Sequence, residues 1–189
     1  VIDAHSSELL KHAGKFRFNK RKTYCVHLDS EGPFEQHYSK NHKRNIKKAD
    51  KIEWQIEEHE DYEDLLTQFL KTKSKEIDIG ENFKDSFKRL IPFFRENDQI
   101  KILSAKHKQD RIASALFAGY GNVMTFLLSY SKPIAKENGI MHAMIHHWLL
   151  NCSSGYKILD FEGGNIDALA RFYSGFGAKK SEFYYIERH

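Results

Sequence analysis

The sequence predicts an α/β protein: an antiparallel meander followed by β-α-β-α-β, giving a mixed sheet with helices on both faces. Three observations carry that reading. The first is Ile112 to Ser131, IASALFAGYGNVMTFLLSYS, a stretch of 20 residues without a charged side chain in a chain that is 30% charged. About 20 apolar residues would cross a bilayer, but Gly119-Tyr120-Gly121-Asn122 sits at the centre of this run. Gly-Asn between two β-rich arms signals a two-residue hairpin with positive φ at its first position. The arms therefore read as adjacent central strands buried on both faces, with Tyr120 opposite Val123 and Phe117 opposite Phe126. The second observation is that the apolar period switches between 3.6 and 2 along the chain. The third is composition: 14 Phe, nine Tyr and two Trp but only three Pro in 189 residues supply a core and leave no long linker.

The elements follow in order. Val1 to Arg17 carries a short helical pattern around Leu9 and Leu10, and the basic patch Lys15 to Lys22 has no clear structure; residues 1–22 read as an N-terminal extension, the remainder of a preceding domain being one reading of it, and 23–189 as the main domain. Thr23 to Asp29 is β-branched and aromatic, a strand. After the Gly32-Pro33 turn, Phe34 to Lys51 forms a strongly basic helix with Phe34, Tyr38, Ile46 and Ala49 as its apolar positions. Ile52 to Glu57 alternates as a strand. Asp61 to Ile77 and Glu81 to Arg95 repeat the helical period. Ile100 to Ala105 joins the uncharged hairpin to complete the meander. A helix from about Asn138 to Leu150 has Met141, Met144, Ile145, Trp148 and Leu149 on its apolar face. Lys157 to Phe161 is a strand, Asn165 to Phe176 a short helix, and Lys180 to Ile186 the last strand.

A net charge of +4 is mild, and only localised charge would point to nucleic acid. It is localised in one place: Lys40 to Lys51 holds six Lys or Arg against Asp50 alone. Cys25 and Cys152 offer no metal-finger spacing and fit a reducing compartment, so a cytoplasmic protein is expected. No DNA partner, membrane span or metal is expected.

Three strings in this order resemble one family. YSKNHKRNIKKA (38–49), GYKILDFEGG (155–164) and RFYSGFGA (171–178) are similar to motifs of the GNAT acyltransferases, and more closely of their FemAB-like branch, which includes the aminoacyl-tRNA-dependent ligases of cell-wall precursors. The likeness covers about Thr23 to Glu187. It implies an N-acyltransferase moving an acyl group from an activated donor, such as acetyl-CoA or another acyl-CoA, to a small-molecule or peptide amine. The alternatives are a FemAB-type peptidyltransferase using aminoacyl-tRNA, and a non-catalytic half of a larger protein. The branch commonly carries two such domains in tandem, so a second GNAT-like domain of the same chain is an expected partner.

The resemblance also implies where the site lies. The fourth strand, Val123 to Ser131, and the fifth, Lys157 to Phe161, would splay, and the amides of Leu127, Leu128 and Ser129 would face the reacting carbonyl. Phosphates of coenzyme A would sit at the next helix start, at Asn138, Gly139 and Ile140. That loop departs from the family's glycine-rich pattern, having one glycine and the acid Glu137. Tyr173 stands where many members place a tyrosine that protonates the leaving thiolate; it equally fits a packing tyrosine beside Phe172 and Phe176. Glu162, with Asp160 as the other choice, would take a proton from the amine; the alternative is that either acid simply caps the Gly163-Gly164 turn. Lys43, Arg44 and Lys47 would hold phosphates of a nucleotide-linked substrate or a tRNA end, or form a solvated face. His142 and His146 lie one helical turn apart, a ligand spacing with no third ligand, and read as a solvated face.

Overall fold

Seven strands form one sheet in the order β2-β3-β4-β5-β6-β1-β7. The structure, a computed structural model, describes residues 16–29, 33–73, 82–96 and 99–188. The strands are β1 (Phe16–His27), β2 (Gln55–His59), β3 (Ile100–His107), β4 (Asp110–Tyr120), β5 (Val123–Ser131), β6 (Ile158–Asp160) and β7 (Lys179–Arg188). The helices are α1 (Lys40–Ala49), α2 (Tyr62–Lys73), α3 (Phe83–Glu96), α4 (Pro133–Glu137), α5 (Ile140–Asn151) and α6 (Asp167–Ser174). Every strand pair is antiparallel except β5 with β6. This is the mixed α/β sheet that the element order predicts.

The hairpin register agrees with the turn chemistry. Tyr120 pairs with Val123 and Phe117 with Phe126, and Gly121 takes φ +58°. Between those pairs and Leu116↔Leu128 the ladder shifts, which leaves Leu127 as an extra residue on β5. One core packs α1, α5 and α6 on the sheet: Trp148 stacks on Phe117 at 4.9 Å, and Phe161 stacks on Tyr173 at 4.7 Å. The other packs α2 and α3 through Leu65, Leu66, Phe87 and Ile91 onto Ile102, Leu116 and Leu128. Within this face runs a polar chain, in which His59 Nε2 lies 2.6 Å from Ser104 Oγ and Ser104 bonds Ser114. It satisfies two wholly buried hydroxyls.

Several boundaries differ from the sequence reading, each for a tertiary reason. β1 begins at Phe16, inside the stretch read as an extension, because its first ten residues pair with β7. The helix expected over Phe34 to Lys51 divides: a 3₁₀ turn covers Phe34–His37, and Ser39 caps α1 by accepting the His42 amide at 3.2 Å. β2 is displaced from Ile52–Glu57 to Gln55–His59, since the Lys51 and Ile52 amides still close the end of α1. Asn138 does not cap the following helix; it closes α4, its side chain donating to the Ile134 carbonyl, and α5 starts after Gly139 at φ +68°. β5 is not buried on both faces, Leu127 being 38% exposed. The helical pattern around Leu9 and Leu10 and the expected end of the helix beyond Lys73 lie outside the described residues.

Candidate active site

β5 and β6 share only three pairs, ending at Thr125↔Asp160. β6 stops there while β5 runs on to Ser131, so the β6-facing edge of β5 beyond Thr125 has no strand partner. A cavity of about 370 Å³ opens in the gap. β5 lines it with Phe126 to Ser129, the end of β6 with Phe161, Glu162 and Gly163, α6 with Leu169 and Tyr173, and α2 with Phe69. The bulge leaves Leu127 without a partner on β4, while Phe126, Leu128 and Ser129 stay paired with it, so this stretch of β5 is an open sheet edge on its other side.

The cavity's titratable groups are held by their neighbours. Asp160 accepts the Glu162 amide at 2.8 Å and the Thr23 hydroxyl, so its carboxylate is engaged in fixing the turn. Glu162 itself adopts φ +53°, a left-handed conformation that costs energy for a residue with a side chain. Its carboxyl is pushed above the ordinary glutamate range by partial removal from water and by the Asp160 charge, with Arg21 pulling the other way. Tyr173 is buried, and burial together with the charges of Glu162 and Asp160 raises its phenol well above the usual tyrosine value. Its hydroxyl points toward Gly163, lying 3.8 Å from where a side chain there would begin. Tyr173, Glu162 and the Leu127–Ser129 edge thus face one space.

The other predicted site residues are elsewhere. A second groove of about 270 Å³ continues from Ser129 past Lys136 to Gly139 and His142. Gly139 borders it, but its open side is taken: a Cβ would lie 2.4 Å from the Asn45 carbonyl oxygen of α1. Ile140 is buried in the core. Lys43, Arg44 and Lys47 stand exposed on the outer side of α1, with Lys40, Lys48 and Lys51 along the same groove. Among the described residues none of the six makes an ion pair, and the acids Glu57 to Asp64 pair instead with Lys106, Arg111, Lys101, Arg95 and Lys88.

His142 and His146 are not a solvated face. His142 packs 4.6 Å from the His42 ring, and burial with that neighbour pushes it down to about 4. His146 Nδ1 lies 3.2 Å from the Tyr38 hydroxyl. Sequence reasoning missed His42, which is almost wholly buried and donates from Nε2 to the Phe172 carbonyl at 2.7 Å, next to Tyr173. It looked like one more polar residue in a basic helix; only its place at i+3 from the cap Ser39 marked it. Among the described residues no group of His, Cys, Asp or Glu is arranged to hold a metal, and no helix is long and apolar enough to cross a membrane.

Residues 36–170 match the acetyltransferase (GNAT) domain family. No curated protein matches the chain by sequence. Among solved structures, FemX is 12% identical with a TM-score of 0.71, over 98% of this chain and 70% of that one. The C-terminal domain of a putative lysylphosphatidylglycerol synthetase from Agrobacterium fabrum is 12% identical at TM-score 0.62, over 95% and 63%. A tandem GNAT protein from the clavulanic acid biosynthesis pathway is 9% identical at TM-score 0.57, over 98% and 58%. The chain therefore spans 58–70% of the length of these three structures, and at such identities they speak to the fold. The family match covers well over half the chain and contains both strands that part around the cavity, so the protein belongs to the GNAT acetyltransferase family, with a FemX-like fold, and is an N-acyltransferase.

Proposed function

We propose that this domain transfers an acyl group from an acyl-CoA to a small-molecule or peptide amine by direct attack in a ternary complex, with the donor along β5 and the amine beside Glu162. The observation that carries the reading is the parting of β5 from β6 after Thr125, which leaves Leu127 to Ser129 bordering a largely apolar cavity that also holds Glu162 and Tyr173. A bound acyl-CoA supplies a thioester carbonyl already activated toward amines. The β5 edge offers backbone N–H donors where charge develops on that carbonyl oxygen, and the apolar walls strengthen them by excluding water. Glu162, shifted upward, is better matched than an ordinary glutamate to accept a proton from the amine. Asp160 holds the turn that aims it. Tyr173 keeps its proton and donates a hydrogen bond to the departing sulfur; a thiol of pKa about 8.5 cannot draw the proton fully from a phenol raised above 10.

The acyl end of such a donor fits the cavity. Its phosphate end finds one cation, Lys136, in the continuing groove, and α1 packs against the Cα of Gly139 on one side. The row of exposed cations along α1 therefore favours a second reading, in which the donor is an aminoacyl-tRNA whose phosphates lie on Lys43, Arg44 and Lys47. Either reading belongs with a second GNAT-like unit in a longer chain and with a reducing, cytoplasmic setting; the free thiols of Cys25 and Cys152 support the latter.

The test is a melting titration with acetyl-CoA and with charged tRNA, followed by acyl transfer to a panel of primary amines. Acetyl-CoA should raise the midpoint in proportion to its binding. Glu162→Gln should keep that rise yet lower turnover by about 100-fold or more. A rise with tRNA alone selects the second reading, and no binding of either donor overturns both.

A further inference from the structure

β1 and β7 form a two-stranded ribbon that outruns the rest of the sheet. β6 pairs with β1 only over Cys25 to His27, whereas β7 accompanies it from Phe16 to Cys25. The overhang has two faces, because side chains alternate along each strand. Thr23 bonds Asp160, so the face it shares with Arg21, Asn19 and Arg17 lies on the Asp160 side of the turn that carries Glu162. The overhang is fastened to the catalytic turn as well: the Lys22 amide donates to Asn165 Oδ1 at 3.1 Å, and Gly164 lies so close that a Cβ would come within 2.7 Å of the Lys22 carbonyl oxygen. Arg21 thus directly precedes the two residues tied to this turn, near enough for its charge to act on the Glu162 carboxylate.

The Arg21 guanidinium lies over the exposed Tyr185 ring at 4.7 Å. A guanidinium held flat by a ring face keeps its in-plane N–H donors available, the geometry that grips a carboxylate with two parallel bonds. Among the described residues Arg21 forms an ion pair with no acid, and the nearby Glu187 is instead taken by Asn19 at 3.1 Å. Asp160 and Glu162 make the same space unfavourable for a dianion, so a single negative charge is the better match. We infer that Arg21, stacked on Tyr185, is the specificity-determining residue of the amine side of the site, and that the acceptor is an amine bearing a carboxylate, such as an amino acid or a peptide C-terminal unit. This rests on the acceptor entering beside Glu162, as proposed above.

The test separates the two claims. In the binding arm, 4-aminobutyrate and phenylalanine are titrated against their carboxamides and against phosphoethanolamine, reading the Arg21 Nε–Hε signal by NMR. Both carboxylates should saturate that signal and bind at least tenfold more tightly than their amides; Arg21→Gln should remove the difference while melting like the parent. Equal binding of acids and amides, a preference unchanged in Arg21→Gln, or tighter binding of phosphoethanolamine overturns the assignment. In the transfer arm, acyl transfer to the same amines tests the catalytic reading. Carboxylate binding at Arg21 without transfer to any amine retains the recognition site and sinks the proposed reaction; transfer with no acid preference does the reverse.

Discussion

Glu162 and Arg21 are coupled, and the coupling has a sign. Glu162 is a competent base only when ionised, and burial and Asp160 raise its pKa while Arg21 lowers it. The acid limb of the turnover profile should therefore lie above the ordinary glutamate range, and Arg21→Gln should move it further up; a limb that stays in place would show that Glu162 is not the titrating group. Gly175 is the other informative residue. A Cβ there would sit 1.9 Å from the His42 ring, and this ring holds the carbonyl before Tyr173. Gly175→Ala should cost about 2 kcal/mol or more in urea unfolding, as overpacking at a closed contact does, and should lower turnover by displacing Tyr173. Neither consequence is legible in the sequence, where Gly175 is one of eleven glycines and His42 one of eleven histidines.

Among the elements, α1 shows how one helix serves two ends. Its inner side packs Ala49, Ile46 and His42 against the core, its start is capped by Ser39, and its outer side is a row of cations. The triple change Lys43→Glu, Arg44→Glu, Lys47→Glu alters exposed positions only and should leave the melting midpoint within a few degrees. If those side chains hold phosphates, tRNA retention should fall steeply and lose its dependence on salt; unchanged retention removes α1 from the donor site. β5 is the opposite case, an element whose usefulness comes from an irregularity. The bulge at Leu127 and the early end of β6 together open the cavity, and neither is written in residue type: LLS in the middle of an uncharged run looks like any buried strand. The register across the hairpin was legible because Gly121-Asn122 admits few turns. The extra residue was not, since a bulge depends on how β4 and the end of β6 meet it.

For the whole molecule, the histidines between α1 and α5 set the response to acid. Burial lowers His42, His142 and His146, His142 to about 4, so the folded state favours their neutral forms. The unfolded chain binds protons near pH 6.5, and stability is therefore complete above that value and drains away as pH falls toward 4, where His142 also charges. Urea unfolding at pH 7.5, 5.5 and 4.5 should show a falling midpoint, and His142→Asn should flatten part of the fall; an unchanged midpoint would mean these rings stay solvated. The sequence by itself determined the mixed α/β class, the hairpin register, the order of elements and the family resemblance, because these depend on local period, turn chemistry and short motifs. Only the tertiary structure decided where β1 begins, how the basic helix divides, that two histidines are interior and that β5 parts from β6, because each depends on which distant segment supplies the hydrogen bonds and covers the apolar surface.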